Sequence, residues 1–452
     1  MGTITLGQAA AWCGGTVNDK YAKVSFFGAA NDSRNIRAGQ LFVALQGARD
    51  GHDFIPMALK NGAAAVLCSH CEGDYPAIVV ADPRKALGDI ARQERRRIGM
   101  KVVGVTGSVG KSTTKEMIAA VLASTWRVSK TPANHNNDIG LPMAILAMPE
   151  DTEVAVLEMG MNHFREIAYL SSIAQPDLAV IVNIGTMHIE HLGSQEGILQ
   201  AKLEILEGMN GGTLILNGDD ALLWRVHKES ELRPVYFGWE NPQCQVQGRA
   251  VAESGQGLSF EVSCGDEAFP IRLGLEGRHF VADALAAVSV GLEMGVAPAK
   301  IADSLGPFRN MEGRQEMLSV KGYTIIKDCY NAGPESMGAA LAVLGSKPGR
   351  RIAVLGDMLE LGDCAPAEHY RIGRIAAENA QLVLAYGPNS SRVVSGAITG
   401  GMNVARAQAF EDRDALVSAL KRLAKPGDVI LFKGSHGMRM ELALERFLQD
   451  EE

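Results

Sequence analysis

Long apolar runs are absent from this chain of 452 residues. None approaches the roughly 20 consecutive apolar residues that a helix needs to cross a bilayer, so we expect no membrane insertion. Residues 1–6 lack the basic region followed by an apolar stretch that marks a secretory signal. From these two absences we expect a protein of the cytoplasm.

Concentrated positive charge is also lacking. The chain has 44 lysines and arginines against 52 acidic residues, a net charge of −8. The one basic cluster, residues 92–97, falls where a linker helix would end, and we interpret it as a solvated helix face. No run of basic residues resembles a nucleic-acid footprint, so we expect no nucleic-acid partner.

Cysteine is sparse, with seven residues scattered along the chain. An odd, scattered set does not make a disulfide framework. Cys68 and Cys71 form a lone Cys-x-x-Cys pair, which is weak evidence for a metal or redox site. A reducing compartment is the simplest interpretation.

The length predicts three domains, since about 150 residues per domain is usual. We place them at residues 1–98, 99–312 and 313–452. A hydrophobic content of 46% and a charged content of 21% are those of an ordinary globular protein.

Short apolar strands alternate with amphipathic segments through most of the chain, which favours α/β domains with mainly parallel sheets. The strands predicted in the first and middle domains are residues 41–45, 64–67, 101–105, 154–157, 178–182 and 214–216. Those predicted in the last domain are residues 324–327, 352–355, 382–385 and 429–432. Residues 243–273 contain several glycines and predict an antiparallel insertion instead. The predicted fold is a small N-terminal α/β domain, a central doubly wound parallel sheet and a C-terminal Rossmann-like α/β domain.

The strongest functional signal is the segment at residues 106–114, which reads Thr-Gly-Ser-Val-Gly-Lys-Ser-Thr-Thr. It follows a predicted strand and precedes apolar residues at helical spacing, which is the context of a phosphate-binding loop, or P-loop. Gly107 and Gly110 let consecutive N–H groups converge on phosphate oxygens at a helix N-terminus. The segment therefore predicts a nucleoside triphosphate site.

The side chains of this P-loop carry the chemistry. Lys111 can reach the β- and γ-phosphates, and the hydroxyl of Ser112 or Thr113 can bind the accompanying Mg²⁺. Val105 stands where the strict Walker pattern has glycine, so the loop is a variant that points to a subclass.

Three further side chains are candidates for metal chemistry. Glu158 ends a predicted strand, where a carboxylate would meet the Mg²⁺ held by the P-loop hydroxyl. His188 follows another strand and is either a ligand of a second Mg²⁺ or a hydrogen-bonded histidine, since Mg²⁺ prefers oxygen. Lys202 lies near the apolar face of the next helix. Either its methylene groups are buried while the ammonium group reaches solvent, which is called snorkelling, or its amine takes part in the chemistry. Spacing alone leaves both pairs of alternatives open.

At these residues the chain resembles a known family, the ATP-dependent Mur ligases of bacterial peptidoglycan synthesis. The family form of the P-loop, Thr-Gly-x-x-Gly-Lys followed by two hydroxyl residues, is present and accounts for the missing early glycine. Motifs similar to those of the family member that adds D-alanyl-D-alanine occur at residues 134–142, 158–163, 328–337, 355–362 and 433–441. Residues 31–52 resemble the UDP-sugar-binding start of the family. The resemblance covers the whole chain.

The resemblance implies an amide ligase that depends on ATP and Mg²⁺. Such an enzyme joins D-alanyl-D-alanine to UDP-N-acetylmuramoyl-tripeptide through an acyl phosphate, giving the pentapeptide precursor of peptidoglycan. The implied partners are these two small substrates, and we expect a monomer.

The resemblance also implies a role for each matching residue. Catalysis would involve Lys111, Lys202 and His188. ATP would contact Thr106, Gly107, Ser108, Gly110, Lys111, Ser112, Thr113, Asn134 and Asn331. The UDP pocket would contain Asp32, Ser33, Arg34, Gln46 and His52, and the remaining substrate contacts would be Asn136, Asn137 and Asn162. Magnesium would bind Ser112, Glu158, His188 and Lys202, the last as a carbamate.

The motif at the start of the central helix differs from the family pattern. The central helix usually begins His-Asn-x-x-Asn, but here His279 is followed by Phe280 and then by Asp283. Both amides are replaced, so we carry no nucleotide role onto Phe280, and the role of Asp283 is open.

Three alternatives remain beside this interpretation. The sister ligase that adds the third amino acid shares the N-terminal motifs but lacks the Asn-x-Asn-Asn and Tyr-Asn-Ala-x-Pro motifs. Folylpolyglutamate synthases share the P-loop and the lysine but lack the UDP-binding start. A nucleotide-dependent switch protein belongs to another class, and the guanine-reading Asn-Lys-x-Asp phrase of a GTPase is absent here.

Overall fold

The computed structural model describes residues 3–229, 233–254 and 257–449. Within these residues the chain forms three large sheets, which follow one another along the sequence, and one two-stranded pair. Among the described helices, none is both long enough and apolar enough to cross a membrane.

The N-terminal part is a small α/β unit. Its strands are β1 (Ile4–Thr5), β2 (Thr16–Val17), β3 (Ser25–Phe26), β4 (Ala29–Ala30), β5 (Leu41–Val43), β6 (Ala65–Cys68) and β7 (Ala77–Val79). Its helices are α1 (Leu6–Cys13), α2 (Ile55–Lys60) and α3 (Pro83–Ile98). The sheet order is β2-β7-β6-β5-β4, and its pairs are parallel except for β2 with β7.

The middle part contains a sheet of nine strands. They are β8 (Lys101–Thr106), β9 (Val128–Lys130), β10 (Val154–Glu158), β11 (Leu178–Ile181), β12 (Thr213–Asn217), β13 (Val235–Gly238), β14 (Val246–Ser254), β15 (Gly257–Cys264) and β16 (Glu267–Leu273). The helices are α4 (Lys111–Ala123), α5 (Gly140–Leu146), α6 (Glu166–Ala174), α7 (Ile189–Leu192), α8 (Gln195–Leu203), α9 (Ala221–Glu229), α10 (Phe280–Glu293) and α11 (Pro298–Leu305). In the order β16-β15-β14-β13-β12-β11-β8-β10-β9, strand β8 lies between β11 and β10.

The C-terminal part has a sheet of order β17-β18-β22-β19-β20-β21. Its strands are β17 (Glu316–Val320), β18 (Tyr323–Asp328), β19 (Arg351–Gly356), β20 (Leu382–Tyr386), β21 (Ala407–Phe410) and β22 (Val429–Lys433). Its helices are α12 (Pro334–Ser346), α13 (Ala365–Asn379), α14 (Ser390–Thr399), α15 (Arg413–Leu423) and α16 (Met440–Leu448). Only the edge strand β17 is antiparallel to its neighbour.

The central strands are apolar along almost their whole length because helices cover both faces of the sheet. Strands β8, β10 and β11 are parallel, so their carboxyl ends meet at one edge of the sheet. That edge is where ligands bind in open α/β sheets. The topology therefore brings the P-loop after β8, the carboxylate that ends β10 and the loop after β11 to one place.

The predicted α/β class and the alternation of strands and helices are confirmed. Every strand predicted in the middle and C-terminal parts overlaps an observed strand, and residues 243–273 contain the antiparallel strands β14, β15 and β16. The exact domain boundaries stay a prediction. The seven cysteines are free thiols, and Cys68 is buried whereas Cys71 is exposed.

The interpretation of residues 92–97 as a solvated helix face is only partly right. Arg95 is largely buried, and its guanidinium donates hydrogen bonds to the carbonyl oxygens of Ala174 and Gln175 and to the carboxylate of Asp177. This side chain therefore ties α3 to the end of α6 and the start of β11, whereas Arg96 and Arg97 are exposed.

Helices α4 and α10 pack together behind the P-loop, and one polar contact lies in their interface. Thr114 donates its hydroxyl to Oδ1 of Asp283 at 2.8 Å, and both residues are buried. Burial raises the pKa of Asp283 to about 7 from its ordinary value of 3.8, although the Thr114 bond and the charge of Arg314 act in the opposite direction. The native state therefore keeps a proton on this carboxyl that the unfolded chain loses above about pH 4.

We expect Asp283→Asn to stabilise the protein increasingly as the pH rises. Because the folded pKa is raised, the wild-type chain loses stability between about pH 4 and pH 7, and the amide has no proton to lose. The gain over wild type should grow by on the order of 4 kcal/mol from pH 4 to pH 8, measured by urea unfolding. Exposed Asp266→Asn is the matched control and should show no such growth. A gain that does not change with pH would contradict the prediction.

Candidate active site

A cleft of about 960 Å³ lies where the three parts of the chain meet. Its walls come mainly from the middle and C-terminal parts, and Arg84 of α3 is the contribution of the N-terminal part. The polar side chains that line it include Lys111, Ser112, Asn136, Glu158, Asn183, His188, Asp283, Arg314, Asn331 and Lys433. The residues after β8, β10 and β11 thus face those after β18 and β22.

The P-loop has the tight turn that its glycines predict. Gly110 has a φ of 83°, in the left-handed region, and a Cβ added there would lie 2.5 Å from Oδ1 of Asp283. A side chain at this position is therefore excluded twice, by backbone strain and by collision. The amide of Asn183 holds the loop from the other side, because its Oδ1 accepts hydrogen bonds from the N–H groups of Ser108 and Val109 at 3.1 and 2.9 Å.

Lys111 folds its amine into this loop. Nζ donates to the carbonyl oxygens of Gly107 and Ser108 at 2.8 and 3.2 Å. The side chain is partly accessible from the cleft, but protein atoms surround the amine, and burial lowers its pKa. The charge of Arg314 acts in the same direction, whereas Glu158 opposes it. An anion entering the loop would relieve this cost by pairing with the ammonium group.

Ser112 and Glu158 form the centre of the site. The hydroxyl of Ser112 donates to Oε2 of the buried Glu158 at 2.8 Å, and Nδ2 of Asn136 donates to Oε1 at 2.9 Å. Nζ of the buried Lys115 lies 3.6 Å from the same carboxylate. A carboxylate and a hydroxyl side by side are hard oxygen ligands, which suit Mg²⁺. These residues therefore fit the magnesium ion that the P-loop implies.

His188 and Lys202 have very different surroundings. His188 lines the cleft, and its Nδ1 lies 2.7 Å from Oε2 of Glu360, with the ring N–H poorly aligned on that oxygen. Lys202 is 2% exposed, and within the described residues its amine makes no hydrogen bond or ion pair. Burial lowers the pKa of Lys202 well below its usual value, and the charge of Lys111 lowers it further. Because the amine of Lys202 does not reach solvent, the snorkelling alternative is excluded, and a role of the amine in the chemistry is favoured.

No group of three or more His, Cys, Asp and Glu side chains in the described residues could hold a metal ion by itself. The predicted set differs in kind, because it combines Ser112 and Glu158 with His188 and a modified Lys202. The donors for one ion are in contact, and the assignment of His188 and Lys202 to a second ion stays a prediction.

The cleft gathers most of the residues predicted to bind ATP and the peptide substrates. Those that line it are Ser108, Gly110, Lys111, Ser112, Thr113, Asn136, Asn137, Glu158, Asn162, His188 and Asn331. Predicted residues that do not line it are Thr106, Gly107, Asn134 and Lys202. Thr106 is buried, and its hydroxyl has no hydrogen-bond partner in the described structure.

Asn134 and Asn136 differ in a way that spacing did not predict. Asn134 is exposed, and its carbonyl oxygen accepts from the N–H of Asn136. The side-chain amide of Asn136, a residue predicted to bind substrate, donates to Glu158, the carboxylate predicted to bind Mg²⁺. Asn137 uses its Oδ1 to accept from the N–H of Gly140 at the start of α5. The ATP contact of Asn134 and the substrate contacts of Asn136 and Asn137 stay predictions.

The residues predicted for the UDP pocket lie outside this cleft, in the N-terminal part. They are Asp32, Ser33, Arg34, Gln46 and His52, and they follow strands β4 and β5 at the carboxyl edge of that sheet. Hydrogen bonds from Arg34 hold the pKa of Asp32 at about 2. The ring of His52 stacks on that of His70 at 4.1 Å, and its Nε2 accepts from the N–H of Ser69.

The C-terminal part contributes side chains that the sequence analysis did not assign. Arg314 donates from Nη2 to the hydroxyl of Ser112 at 2.9 Å, and its guanidinium lies 4.0 Å from the ring centre of Tyr330. Oε1 of Glu335 accepts from the N–H and the hydroxyl of Thr186 at 2.9 and 3.0 Å. These contacts connect the C-terminal part to the P-loop and to the loop after β11.

Only some of these residues had a signal in the sequence. Asn183 directly follows a predicted strand, which is a position where polar residues reach ligands. Lys115 lies one helical turn after Lys111, so it shares that helix face. No local pattern marks Arg314, and Glu335 lies in the family-like segment 328–337 without an assigned role, because their partners are 202 and 149 residues away.

Three family models match successive parts of the chain. Residues 27–95 match the model described as Mur ligase family, catalytic domain, residues 105–291 match the Mur ligase middle domain, and residues 313–436 match the Mur ligase glutamate ligase domain.

Named relatives match almost the whole chain. The UDP-N-acetylmuramoyl-tripeptide–D-alanyl-D-alanine ligase of Bacillus subtilis (strain 168) is 40% identical over 438 residues, which cover 95% of this chain and 94% of the relative. Crystal structure I of MurF from Acinetobacter baumannii superposes with a TM-score of 0.91 at 30% identity and covers 100% of both chains. MurF ligase from Thermotoga maritima in complex with ADP gives a TM-score of 0.82 at 30% identity, covering 93% of this chain and 97% of that one. This chain belongs to the Mur ligase family.

Proposed function

We propose that this protein is the ATP-dependent ligase that adds D-alanyl-D-alanine to UDP-N-acetylmuramoyl-tripeptide. The proposal rests on the hydrogen bond from Ser112 of the P-loop to Glu158. It also rests on the similarity of the chain, along 95% of its length, to a UDP-N-acetylmuramoyl-tripeptide–D-alanyl-D-alanine ligase. The product is the pentapeptide precursor of peptidoglycan.

The reaction has to overcome a poor electrophile and the repulsion of two anions. A carboxylate does not accept an amine in water, because hydroxide is a poor leaving group. Transfer of the γ-phosphoryl group of ATP to the tripeptide carboxylate gives an acyl phosphate and ADP. The amine of D-alanyl-D-alanine then attacks the acyl carbon, and the tetrahedral intermediate releases phosphate and a proton.

The residues around the P-loop supply most of the electrostatic stabilisation. Lys111 binds the β- and γ-phosphates with its ammonium group, and the N–H groups of the loop bind phosphate oxygens. Ser112 and Glu158 would hold a Mg²⁺ ion, which would supply positive charge beside the triphosphate. Arg314 donates to Ser112 from the C-terminal part, so it adds positive charge to the site only when that part is docked.

Lys202 and His188 are proposed as ligands of a second Mg²⁺. A neutral amine attacks carbon dioxide to form a carbamate and release a proton, and the low pKa of Lys202 favours the neutral amine. The carbamate is an anionic oxygen donor of the kind Mg²⁺ prefers. His188 contributes an imidazole nitrogen on the wall of the cleft.

Each part of the chain then has a task. We assign UDP binding to residues 1–98, ATP binding to residues 99–312 and docking over the cleft to residues 313–452. Positioning three substrates in one cleft accounts for much of the remaining catalysis. The seven free thiols support the cytoplasm as the site of action, and we propose a monomer.

Phosphate release tests the whole assignment. We expect it to require ATP, UDP-N-acetylmuramoyl-tripeptide and D-alanyl-D-alanine together, with the ligated product identified by mass spectrometry. Release with ATP alone would indicate a switch protein. Product formed from UDP-N-acetylmuramoyl-dipeptide and a single amino acid would indicate the sister ligase.

We expect Lys111→Ala to abolish ATP-dependent ligation. Loss of the ammonium group beside the transferred phosphoryl should cost on the order of 4 kcal/mol or more of transition-state stabilisation, measured as kcat/KM for ATP. Lys101→Ala, which removes an exposed lysine at the start of β8, is the control and should behave as wild type. Turnover by Lys111→Ala at the wild-type rate would end the P-loop assignment.

Lys202→Ala should be nearly inactive and partly rescued by a short carboxylate such as acetate. Removing the buried side chain leaves room for a small anion to take the place of the carbamate. Acetate should not rescue Lys111→Ala, where a cation is missing. Full activity of Lys202→Ala without any addition would show that this lysine has no chemical role.

A further inference from the structure

The loop after β11, residues 183–191, contacts both the P-loop and the C-terminal part. We name it the coupling loop. At its start Asn183 accepts from the N–H groups of Ser108 and Val109. Thr186 donates to Glu335 of α12, and His188 lies against Glu360 in the loop after β19. A change in the docking of the C-terminal part would therefore alter the contacts of the coupling loop, which in turn contacts the P-loop.

The contact between His188 and Glu360 has an unusual backbone on both sides. His188 has a φ of 66° and Glu360 a φ of 63°, although neither residue is glycine. Left-handed conformations of such residues cost free energy and persist where the surroundings enforce them, often at functional sites. The two side chains face each other, with Nδ1 of His188 2.7 Å from Oε2 of Glu360, although the ring N–H is not aligned for a hydrogen bond in this arrangement.

The neighbouring backbone also brings the two loops together. A Cβ added to Gly362 would lie 3.1 Å from Cβ and Cγ of Glu190, two residues after His188. The φ of Gly362 is 50°, so the chain turns sharply just after Glu360. The two loops are therefore in contact at a second point beyond His188, so the contact of Glu360 with His188 is part of a larger interface.

We propose that Glu360 is a positioning residue for His188, delivered when the C-terminal part docks. With a turn of the ring that aligns the N–H, its carboxylate would accept the proton of Nδ1, which would set the tautomer and the ring orientation and leave Nε2 unprotonated. Carboxylates that bind the second nitrogen of a metal-binding histidine act in this way in many proteins. The inference rests on the proposed role of His188 and adds that the histidine becomes a competent ligand only in the docked arrangement.

Glu335 provides a comparison within the same interface. It also crosses from the C-terminal part to the coupling loop, but it contacts Thr186 and no histidine. If Glu360 only helped to hold the two parts together, loss of either carboxylate should have the same effects. If Glu360 positions His188, its loss should alter the imidazole and the metal as well.

The experiment compares Glu360→Ala with Glu335→Ala, which removes the acceptor of both Thr186 hydrogen bonds, in the full chain with ADP bound. Asp363→Asn is the matched control, since it removes an exposed carboxylate three residues further along the same loop. Nitrogen-15 NMR of labelled histidines reports the tautomer of His188, whose signal is assigned by its loss in His188→Gln. Paramagnetic resonance of Mn²⁺ reports metal affinity, and small-angle X-ray scattering reports docking.

In wild type and Asp363→Asn we expect the Nδ1–H tautomer. In Glu360→Ala we expect the tautomer preference to be lost and Mn²⁺ to bind about tenfold or more weakly. Glu335→Ala should loosen docking at least as much, with a smaller loss of Mn²⁺ affinity. The proposal is overturned if Glu360→Ala keeps the wild-type tautomer, or if it weakens Mn²⁺ binding no more than Glu335→Ala does.

These readouts separate this inference from the proposed function. Wild-type protein that makes no ligated product would sink the function whatever the variants show. An unchanged tautomer in Glu360→Ala would sink the positioning role while ligation by the wild type still stands.

Discussion

The hydrogen bond between Ser112 and Glu158 is the contact around which the site is arranged. It joins the first turn of α4 to the end of β10, two elements that the parallel sheet places side by side. Asn136 and Lys115 hold the same carboxylate from two other directions. Arg314 reaches the same hydroxyl from the C-terminal part. Side chains from the middle and C-terminal parts therefore converge on this pair.

Burial has a common effect on the ionisable groups behind the cleft. It lowers the pKa of Lys111 and of Lys202, and it raises that of Asp283, so each group is moved towards its neutral form. A site that has to receive a triphosphate and a carboxylate gains from this arrangement. Anions that enter the loop would favour the charged form of Lys111, whereas burial favours the neutral amine of Lys202, the form that the proposed reaction with carbon dioxide requires. The same low-dielectric surroundings would thus serve the proposed roles of both lysines.

Local patterns in the sequence predicted the fold and placed the P-loop between a strand and a helix. The strands around the P-loop are buried apolar runs, Glu158 ends β10, and Lys111 and Ser112 begin α4 after the loop that follows β8. Asn134 and Asn136 are only two residues apart, and spacing could not decide which of them faces Glu158. Arg314, Glu335 and Glu360 could not be assigned roles, because each acts on a residue more than 140 positions away through the packing of separate sheets.

The replacement of both asparagines at the start of α10 shows how the packing of this chain absorbs a change in sequence. Phe280 is buried among apolar side chains, and its ring lies 4.0 Å from that of His279 at an angle of 41°, so it is part of the core. Asp283 keeps a polar contact with Thr114, and its carboxyl lies where Gly110 leaves no room for a side chain. With a pKa of about 7, this carboxyl is protonated for much of the time near neutral pH, when it resembles an amide in shape and in having a donor. Bringing a triphosphate to the adjacent loop adds negative charge and favours the protonated form further. The acid in this chain can therefore stand in for the amide beside the P-loop without placing a fixed negative charge against the nucleotide.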